Sequence, residues 1–489
     1  MSIQEKALKG VFWSALQNWG SQAGSLVVFF LLARLLAPEA FGLVAMANIF
    51  LALLQIFLQQ GFAQSLIQRQ DLESDHIHTA FWSSLAIGFG LFLIGFTGAD
   101  FVAAGFHESR LTPILQALSW LFLVTACGNV QQALLERAFN FKATATRVLV
   151  GTIAGSAVGI AMALSGFGVW SLVVQQIVQE LVGVLVLWRA SAWRPQLRFS
   201  FVRFRELFQF GFPIIGFNFL NFINSRADDL LIGYFLGAIA LGYYSIAYRI
   251  LTVMQQLLVQ TTQQIALPTF SRLQNNLEQF RQTFYTATKL TSLVAFPTFL
   301  GVAVLAPELI VLIFGKQWLP SIPVLQVLAL AGLFQSISFF KSSVFVAMGK
   351  PSWSLWLSLL SMVLNLIGFS IAVRWGIVAV AVAFVVRGYL VFPIGQWAVS
   401  RLINAPVLTY LKQFAVPLAS AILMSIVILL ARHLLLSITN IPILIVLVSS
   451  LLGTAVYAGL IRFLSPSLFT CLLDFIQLLL MRSKAKPSN

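Results

Sequence analysis

Apolar runs of about twenty residues, parted by short polar breaks, follow one another along the whole chain. Runs of that length suit helices that cross a bilayer, and they lack the short two-residue alternation of membrane β-strands. Fourteen spans are predicted, at 11–33, 41–66, 79–98, 112–135, 145–165, 168–188, 207–234, 241–265, 287–306, 321–346, 353–374, 376–399, 413–435 and 441–463. The longest break is the basic segment 189–206 (RASAWRPQLRFSFVRFRE), too short for a domain and read as a linker. A last apolar stretch, 468–481, falls short of a span and leads into Arg482, Lys484 and Lys486, which predicts an amphipathic basic tail at the membrane surface. The expected fold is therefore all-α: a polytopic integral membrane protein of about fourteen helices.

Composition sharpens this. Of 489 residues, 59% are hydrophobic and only 9% charged, with a mean hydropathy of +0.91. That excludes a soluble enzyme, a disordered chain and a secreted disulfide scaffold. The net charge of +15 is unevenly spread. With the N-terminus in the cytoplasm, most Lys and Arg fall on the cytoplasmic side, and only Arg34, Arg110, Lys316, Arg374 and Arg432 fall outside. This is the positive-inside bias, and it predicts cytoplasmic N- and C-termini rather than a nucleic-acid partner. Lys6 and Lys9 before the first run predict an uncleaved first helix. Cys127, Cys471 and four scattered His give no metal spacing, and no cofactor is expected. No Walker A sequence and no Ser/His/Asp or Cys/His set stands out, so neither an ATP motor nor an enzyme is expected.

The chain also repeats itself. At an offset of 200, Phe12, Asn18, Ser25, Gly42, Gln55, Gln60 and Gln64 match Phe212, Asn218, Ser225, Gly242, Gln255, Gln260 and Gln264. At an offset of 210, Pro113, Leu115, Gln116 and Leu118 match Pro323, Leu325, Gln326 and Leu328. Gly168-Val169-Trp170 falls opposite Gly376-Ile377-Val378. The expected organisation is a six-helix lobe at 1–188, the linker 189–206, a second six-helix lobe at 207–400, and an extra helix pair with the tail at 401–489. Six is even, so both copies start on the same side, as parallel repeats with a substrate path near the midplane.

A charge at bilayer centre costs roughly 2.5–3.5 kcal/mol on insertion scales, so intramembrane ions mark function or pairing. Seven are predicted at depth: Glu180, Arg226, Asp228, Asp229, Arg249, Lys341 and Arg387. Asp229 and Arg249 lie about ten residues either side of a turn near Ala238–Ile239, hence at matched depth and within reach of one another, while Arg226 and Asp229 are i,i+3 neighbours. Glu180 and Arg387 take similar mid-depth places in the two repeats, and Lys341, nearer the inner end, has the length to snorkel. Amides form the second signal: Arg249, Thr252, Gln256, Gln260 and Gln263 recur at helical spacing, as do Asn48, Gln55 and Gln59, while span six carries Gln175, Gln176 and Gln179 beside Glu180. Such a set lines a wet groove for a hydroxyl-rich, anionic cargo, Arg being suited to phosphate, or else glues helices by hydrogen bonds and salt bridges.

Several ordered segments carry a resemblance. Residues 31–47 (LLARLLAPEAFGLVAMA), 134–142 (LLERAFNFK), 166–173 (GFGVWSLV), 226–233 (RADDLLIG) and 242–249 (GYYSIAYR) resemble, in order and spacing, the Wzx-like lipopolysaccharide and colanic-acid exporter branch of the multidrug/oligosaccharidyl-lipid/polysaccharide flippase superfamily, over about residues 8–400. The resemblance implies two six-helix bundles around a central cavity and alternating access. It implies an undecaprenyl-pyrophosphate-linked oligosaccharide as cargo, moved from the inner to the outer leaflet for surface polysaccharide synthesis. Membrane lipids and the polymerase and glycosyltransferases of the same pathway would be its partners. It carries over the Arg226/Asp228/Asp229/Arg249 region as a candidate site, and Glu180 or Asp228 are candidate ion-coupling groups. The alternatives are a lipid II flippase, a drug/cation antiporter of the same superfamily, and a membrane glycan polymerase or ligase.

Overall fold

A computed structural model describes residues 20, 22, 24–58, 62–439, 441–466 and 468–470, with the side chains of 207, 209–214, 217 and 259–265 outside the description. The described residues are mostly helical and contain no strand. Among the described residues, twelve helices are long and apolar enough to cross a membrane. This is fewer than fourteen for two reasons. Asn218–Leu258 counts once but has 41 residues, and it is broken at Gly237 (φ 81°, ψ −178°). At 1.5 Å per residue it is about 60 Å long, enough for two crossings of a ~30 Å hydrocarbon layer. The left-handed φ at the break favours glycine, and it falls next to the turn predicted at Ala238–Ile239. The predicted first span is described only as the helix Gly24–Leu35, and residues 11–19 lie outside the description. Most of the predicted tail, from Cys471 on, also lies outside it.

The chain divides into two compact units, Met1–Ser245 and Ile246–Asn489. The first contains α1 (Gly24–Leu35), α2 (Pro38–Leu58), α3 (Phe62–Gln68), α4 (Ser74–Thr97), α5 (Ala99–Gly105), α6 (Leu111–Arg137), α7 (Phe141–Leu164), α8 (Trp170–Ala190) and α9 (Phe201–Gln255) as far as Ser245. Close backbone approach is its main packing device, as expected where lipid supplies no hydrophobic drive between helices. A Cβ at Gly151 would stand 2.6 Å from the Gln179 carbonyl oxygen, and one at Gly155 2.6 Å from that of Gln175, so α7 lies directly on α8. Gly88 meets Ala126 in the same way, bringing α4 onto α6. The repeat is visible in one contact. A Cβ on Gly42 would collide with the Ala238 carbonyl, and one on Gly242 with the Pro38 carbonyl. Residues 42 and 242, and 38 and 238, are equivalent at the offset of 200, so the contact is reciprocal.

The second unit holds the end of α9, a π turn at Gln256–Gln260, α10 (Thr261–Leu273), α11 (Leu277–Ile313), α12 (Ser321–Ser338), α13 (Lys341–Ala347), α14 (Pro351–Ala372), α15 (Ile377–Ile403), α16 (Val407–Lys412), α17 (Ala415–Ile438) and α18 (Pro442–Leu464). Aromatic stacking holds one end: Phe270 on Phe280 at 5.0 Å and Phe284 on Tyr410 at 5.4 Å between ring centres. The Tyr457 hydroxyl donates to the Leu293 carbonyl at 2.8 Å, and Arg432 donates to buried Glu308 at 2.6 Å, tying α17 and α18 to α11.

Candidate functional site

Each unit encloses a polar cavity built from helices that bear charged side chains. In the first unit, two adjoining chambers of about 380 and 460 Å³ share Gln55, Thr125 and Glu180. Asn48, Gln176, Gln179 and Arg226 line one, and Gln64, Asn129, Gln132, Glu136 and Arg147 line the other. The glycine contacts between α7 and α8 set the depth of Gln175 and Gln179. Arg147 on α7 donates to Glu180 on α8 at 2.6 Å and also to the Gln132 side-chain oxygen on α6. Gln132 in turn donates to Glu136 at 2.8 Å, and Thr125 to Glu180 at 3.4 Å. The partner of Glu180 is thus Arg147, a residue the sequence reading assigned to the inner surface. α7 begins at Phe141, four residues before the predicted 145, so Arg147 stands more than a turn inside the helix rather than at its first turn, where its side chain reaches α8.

The acidic pair on α9 behaves differently. Asp228 and Asp229 are both buried. Asp229 takes the i,i+3 bond from Arg226 at 2.9 Å, as its spacing predicts, and Asp228 accepts from the Tyr244 hydroxyl at 2.7 Å. Arg226 is half exposed and lines the first chamber, whereas neither Asp lines either chamber. Arg249 lies half-buried on α9 in the second unit. Gln256 is half-buried at the start of the π turn, and the side chain of Gln260 lies outside those described.

In the second unit a cavity of about 370 Å³ is lined by Lys341 and Arg387 together with Gln255, Gln335, Ser336 and Ser338. No carboxylate is among its lining residues. Phe334, Phe339 and Phe392 supply apolar wall, and the Arg387 guanidinium lies 4.9 Å from the centre of the Phe384 ring. The Gln255 amide donates to Gln335. α13 begins at Lys341, after the end of α12, and Lys341 packs against α15, where a Cβ on Gly395 would stand 2.8 Å from Nζ. Two cations, neutral donors and aromatic faces without acid are the chemistry of an anion site. In the first unit, the amides and paired ions suit hydroxyl groups.

Equivalent positions line both cavities. Gln55 and Gln255 are 200 apart, and Thr125 and Gln335 are 210 apart. Gln179 and Arg387 correspond at 208, the offset that joins Gly168 to Gly376. Sequence reasoning missed Arg147, Asn129, Gln132, Glu136 and Gln335 as lining residues. The i,i+4 spacing of Gln132 and Glu136 was the available signal for two of them. It also missed the Glu308–Arg432 pair, whose members are 124 residues apart.

The chain is similar to several known proteins. The succinoglycan biosynthesis transport protein ExoT of Rhizobium meliloti is 29% identical over 95% of this chain and 94% of its own. The teichuronic acid biosynthesis protein TuaB of Bacillus subtilis is 26% identical over 85% and 87%. The lipopolysaccharide biosynthesis protein WzxC of Escherichia coli is 28% identical over 69% of each. Among solved structures, the lipid II flippase MurJ in an inward closed conformation superposes with a TM-score of 0.77 over 94% of this chain and 99% of its own, at 16% identity. An inward-facing multidrug transporter of the MATE family gives 0.63 over 78% and 96%, at 15% identity. These two establish the fold. The model of the family described as polysaccharide biosynthesis protein matches residues 31–323, and the chain belongs to that family.

Proposed function

We propose that this protein is a flippase for lipid-linked oligosaccharide repeat units, carrying an undecaprenyl-pyrophosphate-linked glycan from the inner to the outer leaflet by alternating access. It sits in a bacterial inner membrane with both termini cytoplasmic, acts as a transporter rather than an enzyme, and serves surface polysaccharide synthesis beside the polymerase and glycosyltransferases of its pathway. Its working halves are the six-helix lobes 1–188 and 207–400, joined by the linker 189–206, with 401–489 as an added pair and tail.

The observation that carries this reading is the acid-free cavity of Lys341 and Arg387. A diphosphate entering it meets two cations and a set of amide and hydroxyl donors. The sugar hydroxyls take the amide-rich chambers around Gln55, Gln176, Gln179 and Glu180, with Arg226 as a further cation. Arg249 and Gln256 line the path of the cargo, and the polyprenyl tail stays in lipid. Glu180 and Asp228 are the groups that couple transport to an ion gradient. A cationic drug would find no carboxylate in the Lys341/Arg387 cavity, which disfavours the antiporter reading.

The test is export of lipid-linked glycan in cells and its flipping in reconstituted vesicles. A charge-assisted hydrogen bond contributes about 1.5–3 kcal/mol, so Arg387→Ala is expected to cut transport about tenfold to a hundredfold while the protein still inserts. Arg249→Ala is expected to lower it as well. Normal polysaccharide output from both variants would refute the assignment. Flipping that ignores both ion gradients and voltage would remove the coupling role of Glu180 and Asp228.

A further inference from the structure

The linker carries a feature that transport does not use. After α8 the chain runs without helix from Ser191 to Ser200 and lies along the start of α4. Three hydrogen bonds strap it there. The Gln196 amide donates to His78 Nδ1 at 3.1 Å, Trp82 Nε1 donates to the Gln196 carbonyl at 2.7 Å, and the Ser200 amide donates to Thr79 Oγ1 at 3.1 Å. Trp193 packs on His78 at 5.3 Å between ring centres. The strap borders an open groove of about 640 Å³ against α4, lined by Trp82, Ala86, Ile87, Leu197, Phe199 and Phe204, with Arg198 as its charged wall. Its walls are otherwise almost wholly apolar.

Charge around it is mostly positive. Of the acids nearby, Glu206 is engaged by Arg69 and Arg203 and Glu73 by Arg203, while Asp75, in the first turn of α4, acts on His78, as Arg198 does with the opposite sign. Among the described residues no carboxylate forms an ion pair with Arg198, and Arg194 and Arg205 extend the basic stretch on either side. The same segment exposes large apolar side chains, Leu197 by 89% and Phe201 by 71%. Apolar and aromatic side chains alternating with Arg along a membrane-edge segment place it at the depth of lipid headgroups.

We propose that the groove between the 191–200 strap and α4 is a binding site for one anionic phospholipid, an acyl chain lying along Trp82, Ile87 and Phe199 and the phosphate meeting Arg198. The occupant follows from charge and shape together: an apolar slot open on one side, whose one charged lining residue, Arg198, forms no ion pair among the described residues, matches a chain that ends in a phosphodiester. The site is independent of the cargo cavities and stands even if the transport reading fails.

Native mass spectrometry of the full chain in neutral detergent, titrated with phosphatidylglycerol or phosphatidylcholine, tests it. The wild type is expected to retain one phosphatidylglycerol in preference to phosphatidylcholine. Arg198→Ala is expected to weaken that retention about tenfold, and Ala86→Trp, which fills the slot, to weaken it similarly. Arg205→Ala, in the same basic stretch but outside the groove, is expected to bind as the wild type does. Thermal melting of each variant identifies any that has failed to fold; Arg198 is exposed, so its replacement leaves the fold intact and decides the matter even if Ala86→Trp does not fold. Equal retention of the two lipids, unchanged binding by Arg198→Ala, or an equal loss in Arg205→Ala would each overturn the proposal.

Discussion

The two cavities are built from matching helices and carry opposite chemistry. Gln55, Thr125 and Gln179 in the first unit correspond to Gln255, Gln335 and Arg387 in the second. The first unit pairs its charges internally, Arg147 with Glu180 at 2.6 Å, and surrounds them with amides. The second gathers Lys341 and Arg387 in one cavity with no acid in its lining. Positions matched at these offsets thus face both cavities, while their charges differ. An internally neutral cavity is stable empty and offers hydrogen bonds. One lined by two cations favours a ligand that brings its own negative charge.

The largest expected effect is a charge reversal in the second unit. Arg387→Glu is expected to abolish export, more than a hundredfold below the wild type, since it both removes a donor and pairs with Lys341; output of polysaccharide in a strain lacking the native gene measures it. Next comes stability in the first unit. Glu180→Ala strands Arg147 in a part-buried setting, and breaking a pair of this kind costs up to ~3 kcal/mol, read as a lower melting temperature in detergent. The double change Glu180→Gln with Arg147→Gln is expected to recover most of that loss. Arg387→Gln, by contrast, removes one of two like charges that share a cavity and is expected to cost less stability than Glu180→Ala does. Equal destabilisation by Glu180→Ala and Arg387→Gln would erase the distinction between the cavities.

The smallest effect concerns Glu206, at the start of α9. Hydrogen bonding to Arg69, then to His76, holds its carboxyl below the usual range. A carboxylate with a lowered folded pKa contributes stability above its unfolded value, about 4.3, and loses it as the pH falls through the folded value. Glu206→Gln is expected to lower the melting temperature by about a degree or two at pH 7 and by progressively less as the pH falls below about 4.3, the effect staying small because exposed pairs contribute little.

Much of this was legible in the sequence because membrane helices announce themselves by length and hydropathy, and because a break such as Gly237 leaves a turn that depth arithmetic can find. The Arg226–Asp229 pair was legible too, as it is local. What stayed hidden were partners distant in sequence. Arg147 looked like one more inner-surface cation because Glu180 lies 33 residues away. Tyr244 gave no sign of facing Asp228, since the turn between them sets the register of the two helix halves. Glu308 sits just past the predicted end of its span, and only the packing of α17 on α11 gives it Arg432.

The reciprocal meeting of Gly42 with Ala238 and Gly242 with Pro38 has one more consequence. At each of these two points a bare α-carbon rests on a peptide oxygen, with nothing to interdigitate. Surfaces of that kind separate and rejoin without any side chain having to find its rotamer again. They also bind the histories of the two copies together, because a methyl group gained by either glycine would wedge apart a joint that both halves share.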